Sequence, residues 1–497
     1  MSTARFRLDT QNYYTTLAQL ENLRRERIVA DEALARAQKA VYLLAAQQRQ
    51  LEIQLGAYGE FIHVARAMRI QELLTTFPED LLRCIFEAVA DLPDDSWQKF
   101  GYGRHNHERT NAPFVLAAVC SRWRRVALSC PRLWTYLSLP DPDSVEALDL
   151  HIVRFELLLL RSFPCSFDIL VPQSWECCSS DLHGDFRRCV STLARHSARW
   201  HRVELWLPSG FGRPLDVLRG PLPLLSQLAI TDYSTITPDN DDGPPDDYLP
   251  YAPHVKVLDL SLDIRISQLC HPGFPSLQSL TLWHRVPMEC MLRLLLMCQG
   301  TLEHLEVASN SQPLSVSAVP LAFPSLRSLA LHDVPFFADW PQIVLPNVTS
   351  LALDESAADT ETLPLVIQMS HSVASLTLCG GLPLPVVPDI VQHLANVSHV
   401  EFAKIVPCDG DFDVPDRFLA LLAESVPYIW PKLTSLRFGP GVGLSHGRGR
   451  GLLRFIKKRN SPPHSAVDEP PSRILHVAFV DAAPAWLVEE VERLLAL

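Results

Sequence analysis

The sequence predicts an α/β protein in three segments: a heptad helix over residues 1–75, a three-helix segment over 76–140 and a repeat solenoid with a parallel sheet over 141–497. Three observations carry this. A long proline-free N-terminal stretch repeats apolar residues every three and four positions. Two apolar helix patterns with spaced tryptophans follow it. The remainder repeats one phrase, apolar-x-x-apolar-x-apolar, often after a proline.

Residues 16–75 contain no proline, and glycine only at Gly56 and Gly59. Steps of three and four from Leu20 land on Leu23, Arg27, Ala30, Leu34, Ala37, Val41, Leu44, Gln48, Leu51, Leu55, Tyr58, Ile62 and Ala65. All but Arg27 and Gln48 are apolar or aromatic, and Glu, Arg and Gln crowd the positions between. Such a seam keeps one face turned towards a partner helix, as in a coiled coil or helical hairpin. It implies either a homodimer through this helix or a helix packed back on its own chain. Gly56 and Gly59 are the expected place of a break, since a glycine costs about 1 kcal/mol in a helix interior.

The next segment reads FPEDLLRCIFEAVADLP over 77–93. Pro78 opens a helix, and Glu79 and Asp80 suit the positive end of its dipole. Leu81, Leu82, Ile85, Phe86 and Val89 form its apolar stripe. After a polar insert, Val115, Leu116, Val119, Trp123, Val126 and Ala127 make a second helix face, Pro131 stops it, and Leu133 and Trp134 open a third short element. The order resembles the F-box, whose pattern runs Leu-Pro-x-Glu-Leu-Leu-x-x-Ile-Phe, then Val-Cys-x-x-Trp, then Leu-Trp. The layout is also similar to the F-box-like proteins of mushroom-forming fungi, which carry a heptad helix before the motif and repeats after it. The resemblance implies a Skp-family adaptor, and through it a cullin, docked on Phe77, Pro78, Leu81, Leu82, Ile85, Val119, Cys120, Trp123 and Trp134. Phe77 stands where the family has leucine, and the linker over 94–111 is longer than the motif needs.

Clear copies of the repeated phrase centre on Leu228, Leu258, Leu280, Leu305, Leu329, Leu351, Leu376, Val400 and Leu436, with weaker ones at Leu205 and Val477. Successive gaps from Leu205 to Val400 are 23, 30, 22, 25, 24, 22, 25 and 24 residues. That is the period of irregular leucine-rich repeats, one strand per repeat stacking into a parallel sheet. Residues 288–300 and 144–161 read as flanking helices. The leucines point inwards, so residues between them line the open, concave face. Trp206, Trp283, His304, Glu306, His332, Asp354, His399, Glu401 and Arg437 are the expected contacts for a protein target, with Glu204 and Asp259 on the same face.

Several function classes are excluded on composition or motif. A formal net charge of -12 argues against nucleic-acid binding, and no stretch is long and apolar enough to predict a membrane span. The twelve cysteines are scattered without a CxxC pair, which points to free thiols in cytosol or nucleus. No cofactor and no metal is expected, and no GxSxG, HExxH or S-x-x-K context suggests an enzyme. His304 with Glu306 and His399 with Glu401 fall four repeats apart, too far to form one site. Asp239, Asp241, Asp242, Asp246 and Asp247 read as an acidic loop, and the run from Gly439 to Asn460 reads as a mobile, glycine-rich and basic insertion with a solvated face. The expected function is target recognition for a Skp–cullin–F-box ubiquitin ligase. The alternative is a repeat scaffold with no ubiquitin role.

Overall fold

The computed structural model describes residues 2–91, 106–139, 145–172, 183–208, 218, 220–231, 249, 251–261, 274–283, 288–308, 320–332, 343–354, 363–379, 392–403, 414–425, 429–439, 442, 449–461, 471–480 and 483–496. The acidic stretch 239–247, the pair Cys177 and Cys178, and most of the linker over 94–111 lie outside them. The chain divides into two compact units, Met1–Leu82 and Arg83–Leu497.

The first unit is dominated by one helix, α1, Ser2–Thr76, with 75 residues and a length of about 110 Å at 1.5 Å per residue. It runs unbroken through Gly56 and Gly59. Both glycines face open space, so neither is forced to distort the backbone. Leu20, Leu23, Leu34, Val41, Leu44, Leu51, Leu55, Tyr58 and Ile62 are all exposed, which leaves the heptad seam uncovered.

The helix α2, Glu79–Ala90, begins where Pro78 accepts the first turn's backbone bond from Leu82 N at 3.1 Å. In the second unit, α3 (His107–Val119) and α4 (Ser121–Leu128) follow, then a 3-10 turn at Pro131–Trp134. Cys120 explains the spacing of the Val-Cys-x-x-Trp phrase. It is extended between α3 and α4 and caps α4 by accepting from Trp123 N at 3.4 Å. Trp123 then meets Phe86 edge-on, 5.3 Å between ring centroids. Trp134 is fully buried, donates to Ala127 O at 2.8 Å and lies edge-on to Phe114.

The remainder is α/β. Thirteen strands pair in parallel into one sheet: β1 (Tyr136–Ser138), β2 (Phe167–Val171), β3 (Trp200–Trp206), β4 (Gln227–Thr231), β5 (Val257–Ser261), β6 (Ser279–Trp283), β7 (His304–Ala308), β9 (Ser328–His332), β11 (Ser350–Leu353), β12 (Ser375–Cys379), β13 (His399–Ala403), β14 (Ser435–Phe438) and β15 (His476–Phe479). Two short strands, β8 (Leu321–Ala322) and β10 (Ile343–Val344), form a second parallel pair. Every copy of the repeated phrase is a strand, and their central residues align from Leu228 through Leu258, Leu280, Leu305, Leu329, Leu351, Leu376 and Val400 to Leu436 and Val477.

Three expectations are corrected here. Val203, not Leu205, aligns with Leu228, a slip of two residues that preserves the facing because strand side chains alternate with period two. The sheet also begins earlier than the repeats suggested. β2 lacks the full phrase, β1 has its spacing at Trp134, Leu137 and Leu139 just before the repeats begin, and β1 continues directly from the 3-10 turn, so the small helical segment and the sheet share a core. Finally, the end of the basic run is a helix whose Arg450, Arg454 and Lys457 are exposed as expected of a solvated face but whose Arg459 is buried, while residues 440–441 and 443–448 lie outside the described residues.

The recurrent proline has a packing role. Leu222, Ala252, Phe274, Phe323, Leu345 and Trp430 each precede one and are buried, forming a second apolar column beside the strand leucines. The proline then starts the turn into the strand, where its fixed φ is favourable and its missing N–H costs nothing. Helices α5 (Val145–Arg161), α6 (His183–Ala194), α7 (Met288–Cys298), α8 (Leu363–Met369) and α9 (Val414–Glu424) join successive strands.

The C-terminal end is closed by α10 (Arg450–Asn460) and α11 (Ala485–Leu495). Arg459 and Asn460 are buried, so the end of the basic run belongs to the core, while Arg450, Arg454 and Lys457 are exposed. Arg459 donates to Trp430 O at 2.9 Å, and Arg454 pairs with Glu424 at 2.9 Å. Asn460 donates to Ile474 O and Leu494 O and accepts from Ile474 N at 2.9 Å, joining α10, the start of β15 and α11. Each buried group left unpaired costs about 1–3 kcal/mol, so Asn460→Ala is expected to lower unfolding free energy by about 3 kcal/mol in urea titration.

Candidate functional site

The residues singled out in the sequence fall on the helical segment, whose residues up to Leu82 belong to the first unit, and on the open face of the sheet in the second. On the helical segment, apolar residues sort into buried and exposed. Leu82 is 1% exposed and Trp134 is fully buried, so neither has surface to offer an adaptor, which corrects their assignment as docking residues. Both are interior because apolar area of that size is most stably removed from water within the fold. Cys120 and Trp123 are half-buried and occupied in the cap and the Phe86 contact. By contrast, Ile85 is 43% exposed, Val119 44% and Val115 60%. Val115 and Val119 lie one turn apart on α3. Spacing puts Val115 on the second helix face, and the packing leaves it turned outwards. In the first unit, Pro78 and Leu81 are exposed and Phe77 is half-buried.

The second surface is the open face of the sheet. The positions between the strand leucines run from Glu204 through Ala229, Asp259, Thr281, Glu306, Ala330, Ala352, Thr377 and Glu401 to Arg437. One position further along lie Trp206, Thr231, Ser261, Trp283, Ala308 and His332.

Two expected contacts are interior and are corrected. Trp206 is 2% exposed, its indole donating to Glu204 at 3.2 Å, so it is a packed strand-end side chain and not an anchor. His332 is 5% exposed. Trp283 stacks on it at 5.3 Å with an interplanar angle of 19°, reaching across the small Ala308. Trp283, Glu306, Asp354 and Glu401 are half-buried, while His304, His399 and Arg437 are exposed.

The sheet brings Glu306, His332, Asp354 and Trp283 together. His332 Nε2 lies 3.4 Å from Glu306 Oε1, and Nδ1 lies 3.8 Å from Asp354 Oδ2. Glu401 belongs to a separate pair with Arg437, at 3.5 Å, and His399 Nδ1 is 2.7 Å from Ser398 Oγ. His304 with Glu306 and His399 with Glu401 are separated by three intervening strands. Asp259 also belongs to the acidic neighbourhood. Burial and the Glu306 charge push its carboxyl up to about 7, against a smaller opposing hydrogen bond from Ser261 at 3.4 Å. Burial, with the charges of Asp354, Glu306 and Glu401, likewise pushes the Cys379 thiol up to about 12. Cys379 holds the same repeat position as Trp283 and His332, so the period placed it on this face.

Among the described residues, no group of three or more His, Cys, Asp and Glu side chains could hold a metal ion, and no helix is long and apolar enough to cross a membrane. Cys84, Cys120, Cys130, Cys165, Cys189, Cys298 and Cys379 are free thiols. Comparison with known proteins found no matching family model, curated protein or solved structure.

The raised Asp259 value has a consequence for stability. The folded state holds this proton more tightly than the unfolded chain, so the contribution of Asp259 is fully present below the unfolded pKa and is lost as pH rises through about 7. Asp259→Asn removes the penalty of the buried charge. The variant is expected to gain melting temperature over the parent at about pH 8 and to gain less at about pH 5, measured by thermal denaturation.

Proposed function

We propose that this chain is the target-recognition subunit of a Skp–cullin–F-box ubiquitin ligase, docking the adaptor through its helical segment and a protein target through the open face of the sheet. The observation that carries the reading is the ordered motif Pro78, Leu81, Leu82, Ile85, Phe86, Val119, Cys120, Trp123, Leu133, Trp134 in a segment that leaves Ile85, Val115 and Val119 exposed. Exposed aliphatic side chains on short helices suit insertion into a partner's groove. The chain adds no chemistry of its own. It holds target and ubiquitin carrier on one assembly and so raises their effective concentration.

A scaffold reading also has support, because the helical segment is tied to the sheet. Arg109 stacks over Tyr136 at 4.2 Å and pairs with Asp168 at 3.7 Å, while Arg154 donates to Thr110 O at 2.7 Å. Those contacts suit a cap on the first strands. Co-purification with a Skp-family adaptor separates the two. Ile85→Ala with Val119→Ala is expected to abolish adaptor capture and leave the melting temperature nearly unchanged, since both side chains are largely outside the core. Failure of the parent chain to capture the adaptor would overturn the ligase reading and leave the scaffold.

The N-terminal helix is proposed to pair with a second copy of the chain. A solitary helix of this length draws stability only from weak local pairs such as Arg27–Asp31 at 3.7 Å and Gln48–Glu52 at 2.9 Å. Its seam leucines remain uncovered, and a second heptad helix buries them with matching periodicity. Light scattering of the full chain is expected to give twice the chain mass, and Leu34→Glu with Leu44→Glu should return it to one. A single-chain mass for the parent would rule the pairing out.

A further inference from the structure

Helix α1 is unbroken over Ser2–Thr76, so its apolar seam cannot fold back against itself as a hairpin. Among the other described helices the longest is α5, with 17 residues, too short to cover a seam that runs from Leu20 to Ala65. Every seam position in that span is exposed in the single chain. A helix of matching length and period is supplied by a second copy of α1.

The composition of the seam decides which way the second copy runs. Seam positions alternate between two sets, one that begins at Leu20 and includes Arg27 and Gln48, and one that begins at Leu23 and includes Ala30, Ala37 and Ala65. A parallel, in-register pair sets each residue against itself, whereas an antiparallel pair sets one set against the other. Parallel helices would stack alanine on alanine in three layers, leaving space that no side chain fills. They would also place Arg27 beside Arg27, two like charges in one layer. Antiparallel helices with Leu34 facing Leu51 avoid both. Ala65 then meets Leu20, Ala30 meets Leu55 and Ala37 meets Gln48, a small residue against a longer one each time. Arg27 meets Tyr58, whose ring face attracts a guanidinium, while its contact with Asp31 of its own helix at 3.7 Å keeps the charge compensated. The remaining layers join leucine, isoleucine and valine to one another. Sliding by one heptad turns Arg27 onto Leu51 in one direction and Gln48 onto Leu44 in the other, and either buries a polar group against leucine.

We infer that α1 pairs antiparallel with α1 of a second copy, in the register that sets Leu34 against Leu51. The direction rests on the self-pairing proposed above and is independent of adaptor docking. Such a pair is isologous, so each contact occurs twice about an axis level with Tyr42 and Leu43. The two copies of Thr76 then stand about 100 Å apart at 1.5 Å per residue, one towards each end of the rod. In a parallel pair they would lie side by side, about 10 Å apart. The chain that follows Thr76, with its helical segment and sheet, therefore leaves from opposite ends of one rod.

The test mixes two full-length variants that are each expected to give a single-chain mass by light scattering, Leu34→Glu with Leu44→Glu in one and Val41→Lys with Leu51→Lys in the other. In the antiparallel register the introduced carboxylates of the first chain face the introduced ammonium groups of the second, and the other two layers stay apolar. The equimolar mixture is therefore expected to return to twice the chain mass. In a parallel pair every one of these charges faces an aliphatic side chain, so a mixture that stays at one chain mass beside a dimeric parent would overturn the direction and leave the pairing. A second reading leaves the seam leucines intact. With p-benzoylphenylalanine in place of Tyr58, irradiation of the full chain is expected to give a covalent dimer whose link, placed by mass spectrometry, lies within about one turn of Arg27 of the other copy. A link to the stretch around residue 58 of the other copy, or no link between copies, would overturn the antiparallel register. A single-chain mass for the parent would instead refute the self-pairing itself, so the two failures are distinguishable.

Discussion

The second unit depends on one constraint: the apolar centre of each strand must stack on the apolar centre of the next, in parallel and in register. A parallel sheet distributes its hydrogen bonds evenly along the strands, so nothing in the backbone ladder marks a preferred register. Side-chain facing supplies it. A slip of one residue would turn every leucine from the core to water. The two-residue slip at Leu205 is the kind of irregularity this constraint permits, because it preserves the inner face. The column of buried residues before the prolines adds a second row of the same period, and the prolines set each turn at the same height.

That regularity leaves the other face available for chemistry. Residues alternating with the leucines are brought side by side from positions far apart in the chain, so carboxylates on neighbouring repeats accumulate without any local sequence cluster. The spacing explains both results on this face. Glu306, His332 and Asp354 converge because they lie on successive strands, whereas the two His/Glu pairs stay apart because three strands intervene. Burial on this face is uneven. Trp206 and His332 are interior although their positions alternate outwards, since a large ring on a sheet surface folds against its neighbours to shed apolar area.

The helical segment obeys a different rule. There, a few aromatic contacts and one cysteine cap hold helices too short to be stable alone. Phe86, Trp123 and Trp134 are occupied inside, and the smaller aliphatic residues are left at the surface. The same segment flows into β1, so stability and display come from one packed core. At the other end α10 closes the sheet, where Asn460 satisfies backbone groups of Ile474 and Leu494.

By itself, the sequence determined the α/β class, the long N-terminal helix and the positions of the strands in the repeating series. Period and facing are local properties, written in which residues are apolar. Residue spacing also placed Glu306, Asp354, Glu401 and Trp283 on one face. Only the tertiary structure decided that β1 and β2 extend the sheet, because a short strand with an isolated copy of the phrase, as in β1, or with none, as in β2, becomes a strand only when an edge is present to pair with. It alone decided which apolar residues of the helical segment are buried, since Leu81 and Leu82 are adjacent in sequence and opposite in exposure. The close approach of His332 to Glu306 and Asp354 was likewise invisible in the sequence, as it arises from distances between side chains on three different strands.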